Sequence, residues 1–129
     1  MIRSRVTEIT SLKIVREGQF LAKWTSTATK CGPETAQPIY EYTCTVECLP
    51  SLDPNGFVLD NQDIHAYFVK TYGTKPLPAV SCERMAIHAV KTLVRKCISI
   101  SLAVTRISVS VSGTKGAWLT AEFVPGGKR

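Results

Sequence analysis

From Ile39 to Leu49 the side chains alternate without a break: Tyr40, Tyr42, Cys44, Val46 and Cys48 fall in one phase, Glu41, Thr43, Thr45 and Glu47 in the other. Successive strand residues point to opposite faces, so this pattern fits a half-buried strand with one face on a core and one in water. Antiparallel sheets are where such strands occur. The turn signal Asp53-Pro-Asn-Gly56 follows, and Asp60 then offers an N-cap. Ile64, Tyr67, Phe68 and Tyr72 recur at helical spacing until Gly73, which predicts a helix over about Asn61–Tyr72.

The rest of the chain supplies the partners of that strand. Leu12 to about Trp24 reads as a first strand or hairpin, with Phe20, Ala22 and Trp24 on one face and Gly18 as a turn or bulge. Residues 25–38 hold two prolines and little apolar periodicity, so they form a loop, one long enough to carry function. Gly73–Pro78 is a stiff connector. Ser81 caps a second helix whose buried stripe is Ala86, Ala89, Val90, Leu93, Val94 and Cys97, with Lys91, Arg95 and Lys96 outside.

Ile98–Ser112 alternates again, with a phase slip that predicts a bulge near Thr105-Arg106. After a turn at Gly113–Gly116, Ala117, Leu119, Ala121 and Phe123 mark the last strand, and residues 125–129 make a flexible tail. The order ββααββ gives an α+β fold, an antiparallel sheet with both helices on one face. A chain of 129 residues is expected to be a single domain, its core spanning about 12–124.

Composition narrows the functional classes. Hydrophobic content of 44% and charged content of 20% suit a globular chain, and no run reaches the roughly 18 apolar residues of a membrane span. The N-terminus has no apolar stretch of a secretory signal, so a cytoplasmic location is expected. Five cysteines, an odd number without a C-x-x-C pair, argue against a disulfide framework and a zinc ribbon. Cys44 and Cys48 share the inward phase of their strand and read as small buried hydrophobes. The net charge of +6 is spread from Arg3 to Arg129 without interleaved aromatics, so nucleic acid is disfavoured as a partner.

Several local motifs resemble the 6-pyruvoyltetrahydropterin synthase and 6-carboxytetrahydropterin synthase family over about residues 12–124. Phe20-Leu-Ala22-Lys-Trp24 is similar to the family's F-x-A-x-H, with Trp for His. Lys30-Cys31 resembles its K-C, and Gln37-Pro38-Ile39-Tyr40-Glu41 stands where it has H-G-H-N-Y. Gly56-Phe-Val-Leu-Asp60-Asn-Gln-Asp63-Ile64 is similar to G-x-V-x-D-F-x-D-L with one residue more. Val80-Ser81-Cys82-Glu83-Arg84 resembles the helix start P-T-S-E-N, and Val109–Thr114 the strand motif V-x-V-x-E-T, with Gly113 at the glutamate.

The resemblance implies a tunnelling (T-fold) subunit that assembles into a barrel, a trimer or hexamer. It also implies a zinc site of three histidines, a catalytic cysteine and a pterin-anchoring glutamate. Trp24, Gln37 and Ile39 cannot replace zinc-binding histidines, and His65 and His88 lie in the helices, so neither metal nor cofactor is expected. Cys31 stands at the catalytic cysteine but has no visible activating partner. Glu83 is either a first-turn acid favoured by the helix dipole or a ligand contact.

Three functions stay open at this level. One is a zinc-free relative binding a purine- or pterin-like heterocycle at a subunit interface through Trp24, Gln37 and Glu83. The others are a metal-free pterin-converting enzyme, lyase- or aldolase-like, and a purely structural subunit. A homo-oligomer is expected from open sheet edges and from a second sheet face carrying tyrosines, valines and cysteines.

Overall fold

The computed structural model of the chain describes residues 10–26, 39–49, 60–74, 77–78, 80–113 and 118–126, and of 24–26 and 77–78 the backbone. Its elements in order are β1 (Leu12–Leu21), β2 (Trp24–Ser26), β3 (Ile39–Cys48), α1 (Asn61–Tyr72), β4 (Leu77–Pro78), α2 (Cys82–Ser99), β5 (Val104–Ser112) and β6 (Trp118–Phe123). β1, β3, β5 and β6 form an antiparallel sheet in that spatial order, and β2 pairs in parallel with β4. The main sheet and the two helices give the ββααββ order expected from the sequence.

Local chemistry fixes the helix limits. Asp60 accepts the Gln62 amide at 2.9 Å and Ser81 the Arg84 amide at 3.2 Å, so each helix starts on a side-chain cap. α1 stops at Gly73, whose amide donates to the Val69 carbonyl at 2.8 Å. A Cβ at position 73 would lie 2.9 Å from the Leu21 carbonyl oxygen, so glycine lets the end of β1 and the end of α1 touch.

α1 packs along β1, and α2 packs on β5 and β6. Between helices and sheet lies a core of Phe20, Tyr42, Cys44, Val46, Ile64, Phe68, Met85, Ala89, Leu93, Ile107, Val109 and Val111. Burying one side chain such as Phe68 contributes roughly 1.5–3 kcal/mol. Phe68 stacks on Phe20 and Tyr42 with centroids 5.2 and 4.2 Å away, so three elements meet through flat rings.

Four expectations change. Gly18 is neither turn nor bulge, because β1 runs through it in regular register with Gly18 opposite Tyr42. The glycine serves close approach instead: a Cβ there would fall 2.7 Å from the Tyr42 hydroxyl. Trp24 does not continue β1 but begins β2. Ile98 and Ser99 end α2 rather than beginning β5, since the Cys97 carbonyl still accepts the Leu102 amide at 2.9 Å after the helix stops. The bulge, by contrast, is where the phase slip put it: Glu47 faces Arg106 and Cys48 faces Val104, which leaves Thr105 as the extra residue.

The fourth change concerns the open face of the sheet. Tyr40, Tyr42, Cys44, Val46, Cys48, Val109 and Val111 are all buried in the core, so none is left for a second face. That face carries Lys13, Glu47, Arg106 and Glu122, joined by ion pairs of 3.2–4.0 Å, and Ser110 hydrogen-bonded to Thr120 at 2.7 Å. Exposed pairs of this kind contribute about 0–1 kcal/mol each. The tyrosines and cysteines therefore give an oligomer no apolar area, and what that face exposes is Val15, Leu21, Ile39 and Trp118 instead. The edge reason stands: β1 and β6 bound the sheet, and neither outer edge has a strand partner among the described residues. The turn at 113–116 and the tail at 125–129 lie partly outside the described residues.

Candidate functional site

One end of the sandwich holds the backbone of Trp24, together with Glu83 and Gly113. There β1 ends, and the Lys23 amide donates to the Tyr72 carbonyl at the end of α1 at 2.9 Å. The chain then enters β2, where Trp24 pairs with Leu77 and Ser26 with Pro78 in the connector leading into α2. The first turn of α2 carries Cys82 and Glu83, the former half-buried and the latter exposed. From the sheet comes Gly113, where a Cβ would sit 3.4 Å from the Tyr40 ring and 3.8 Å from Cys82 Sγ.

The backbone of Trp24 thus meets the connector that leads into α2, and Gly113 lies beside Cys82 at the start of that helix. The aromatic floor is continuous. Tyr40 stacks on Phe20 at 5.4 Å and Phe20 on Tyr72 at 5.6 Å. Burial pushes the Tyr72 hydroxyl above its ordinary range, so it stays a neutral hydrogen-bonding group. Glu83, with the dipole of α2 behind it and solvent in front, can accept hydrogen bonds from a ligand. Cys31 and Gln37 lie outside the described residues.

A second concavity sits on the open sheet face at the same end. It is a shallow groove of about 370 Å³ lined by Glu17, Gly18, Gln19, Glu41, Tyr42, Thr43 and Trp118. Trp118 is 48% exposed, and Gln19 donates to Glu41 at 3.3 Å. Its chemistry, a flat ring beside two carboxylates, matches that sought at Trp24 and Glu83. Sequence reading passed over it because Glu41 and Trp118 occupy the solvent phase of their strands, where such residues usually need no explanation.

The described residues bring together no donor set of the kind zinc takes. Ile39 has no donor atom, and no group of three or more His, Cys, Asp or Glu side chains gathers among the described residues. Both histidines are engaged elsewhere: His65 Nδ1 meets the Tyr42 hydroxyl and His88 Nδ1 the Tyr67 hydroxyl, each at 2.5 Å. The buried Cys44 and Cys97 are poorly suited to act as nucleophiles. Burial raises the Cys44 thiol to about 12 and the Cys97 thiol to about 11, away from the thiolate a nucleophile needs.

Arg16 lies on the core side of β1 and donates to Asn61 Oδ1 at 3.0 Å, while its Nε is buried and without a hydrogen-bond partner among the described residues. Burial raises the Tyr42 hydroxyl, and the nearby Arg16 cation opposes that rise. Arg16, Tyr42, His65 and Asn61 tie α1 to the sheet. A charged residue in the inward phase of β1 is the sequence signal of this cluster.

No family model matches the chain, and no curated protein matches it. Solved structures do. A catalytic-residue mutant of Plasmodium vivax 6-pyruvoyltetrahydropterin synthase superposes with a TM-score of 0.56 at 9% identity, covering 90% of this chain and 99% of that one. The Plasmodium falciparum 6-pyruvoyl tetrahydropterin synthase gives 0.53 at 13% identity, with the same coverage. The Caenorhabditis elegans 6-pyruvoyl tetrahydropterin synthase gives 0.53 at 14%, covering 88% and 96%. The chain therefore has the fold of these synthases over nearly their whole length.

Proposed function

We propose that the chain is a divergent relative of the 6-pyruvoyltetrahydropterin synthases that binds a planar purine- or pterin-like heterocycle without zinc-dependent lyase chemistry. One observation supports this reading: the backbone of Trp24 pairs with the connector into α2, whose first turn carries the exposed Glu83 and, beside Gly113 and the Tyr40 ring, Cys82. Trp24 offers an apolar plane for stacking, Gln37 an amide, and Glu83 a carboxylate for ring N–H donors, each charge-assisted bond contributing about 1.5–3 kcal/mol. Cys31 would act as a metal-free thiol. The pocket lies at a junction between copies of the chain, whose open β1 and β6 edges join them into a trimer or hexamer.

Calorimetric titration with guanine, xanthine and neopterin tests the reading. Binding should occur at micromolar concentration and fall at least about tenfold in Trp24→Ala and in Glu83→Ala. Binding that survives both substitutions but is lost in Trp118→Ala would move the site to the open sheet face. Absence of binding by all three compounds would leave the reading without support and favour an assembly subunit, for which the unpaired edges are the observation.

A further inference from the structure

The solvent side of α2 does not look like an idle surface. Arg84, His88, Lys91 and Arg95 follow one another at intervals of four, three and four residues, which keeps them on one face of the helix. All four are exposed. None of the three fully charged members forms an ion pair among the described residues, whereas Lys96, just off this face, is paired with Asp63 at 3.6 Å. The row is about 16 Å long at 1.5 Å per residue.

Aliphatic side chains lie in the same face. Ile87 is 49% exposed and Ile98 is 71% exposed. Beside the row, between α1 and α2, runs a groove of about 360 Å³ to which Tyr72, Val80, Arg84, Ile87, His88 and Lys91 contribute. His88 is held by the Tyr67 hydroxyl of α1, so the groove floor is fixed across both helices.

We propose that this face docks an acidic, amphipathic segment of a partner protein. Its carboxylates would meet Arg84, Lys91 and Arg95, and an aliphatic or aromatic side chain would enter the groove beside Ile87. Charge complementarity selects an anionic partner. Concavity and the exposed isoleucines select a polypeptide among anionic partners: a nucleic acid gains nothing from Ile87, and a bilayer surface does not fill a groove. An amphipathic helix presents carboxylates at the same four- and three-residue intervals, so the two charge rows can run in register.

The probe is a fluorescein-labelled amphipathic peptide with glutamates on one face and leucines on the adjoining one, followed by anisotropy with the full chain. Saturable binding is expected, weakened at least about tenfold by Arg84→Glu with Lys91→Glu and also reduced by Ile87→Ala. A glutamine-for-glutamate version of the peptide should bind at least about tenfold more weakly. The altered residues are exposed, so the thermal melting curve should stay in place. The proposal is overturned if the glutamine peptide binds equally well or if the charge reversal leaves affinity unchanged. Tighter binding to single-stranded RNA or to phosphatidylserine vesicles, insensitive to Ile87→Ala, overturns it as well.

Discussion

Tyr42 lies directly across the β1–β3 ladder from Gly18, and its ring fills the space where a side chain at position 18 would start. The tyrosine cannot move aside, because it is buried, stacks on Phe68 at 4.2 Å and holds His65 at 2.5 Å. Gly18→Ala should therefore destabilise the fold by about 1–3 kcal/mol, the usual cost of overpacking. Urea unfolding measures it, and an unchanged midpoint would mean that the ring is not locked.

Gly113 offers the opposite case. The nearest atoms to a Cβ there are those of the Tyr40 ring and Cys82 Sγ, at ordinary contact distances of 3.4–3.8 Å. Gly113→Glu should fold normally and place a carboxylate beside the start of α2. If the proposed pocket is in use, neopterin should bind this variant about tenfold more tightly, which one charged hydrogen bond is enough to supply. A folded variant with unaltered affinity would count against a pterin-like ligand at this end.

Alkaline pH should unfold the protein early. Burial raises the thiols of Cys44 and Cys97 from 9.0 to about 12 and about 11, and it raises the hydroxyls of Tyr42, Tyr67 and Tyr72 as well. A group that keeps its proton longer folded than unfolded contributes stability that is whole below its unfolded pKa and is lost as pH rises toward its folded one. For Cys44 that window runs from pH 9.0 to about 12. Cys44→Val, close in volume, should flatten the decline of melting temperature across this window relative to the unaltered protein; parallel curves would show that Cys44 plays no part in it.

Metal removal should change nothing. With Ile39 lacking a donor and both histidines bonded to tyrosines, protein prepared without an affinity tag should carry far less than one zinc per chain. EDTA should leave its melting temperature in place. Elemental analysis giving one zinc per chain would require ligands from outside the described residues, with Cys31 the first to test.

Much of the architecture was legible because it rests on periodicity. The alternation at Tyr40–Cys48, the caps Asp60 and Ser81, and the slip near Thr105 each reflect a local rule, and each reappears in the structure. The misses have a common cause. Gly18 was read as a backbone feature when its role is set by a ring on another strand, and the β2–β4 pairing joins residues that no local pattern relates. Of the site, Trp24 and Glu83 were named from a motif resemblance. The groove at Glu41 and Trp118 and the groove between the two helices emerge only when strands and helices are laid side by side.

The ladder between Trp24 and Leu77 spans about fifty residues of chain with two paired positions, so its closure is entropically expensive for the few hydrogen bonds it makes. Such a ladder forms after the main sheet and opens before it. The amides of residues 24–26 and of Leu77 should exchange with deuterium far faster than those of β3, and any ligand seated at Trp24 would act as a clasp on that opening. Slowed exchange at this one ladder is then a direct readout of occupancy, available even when the occupant is spectroscopically silent.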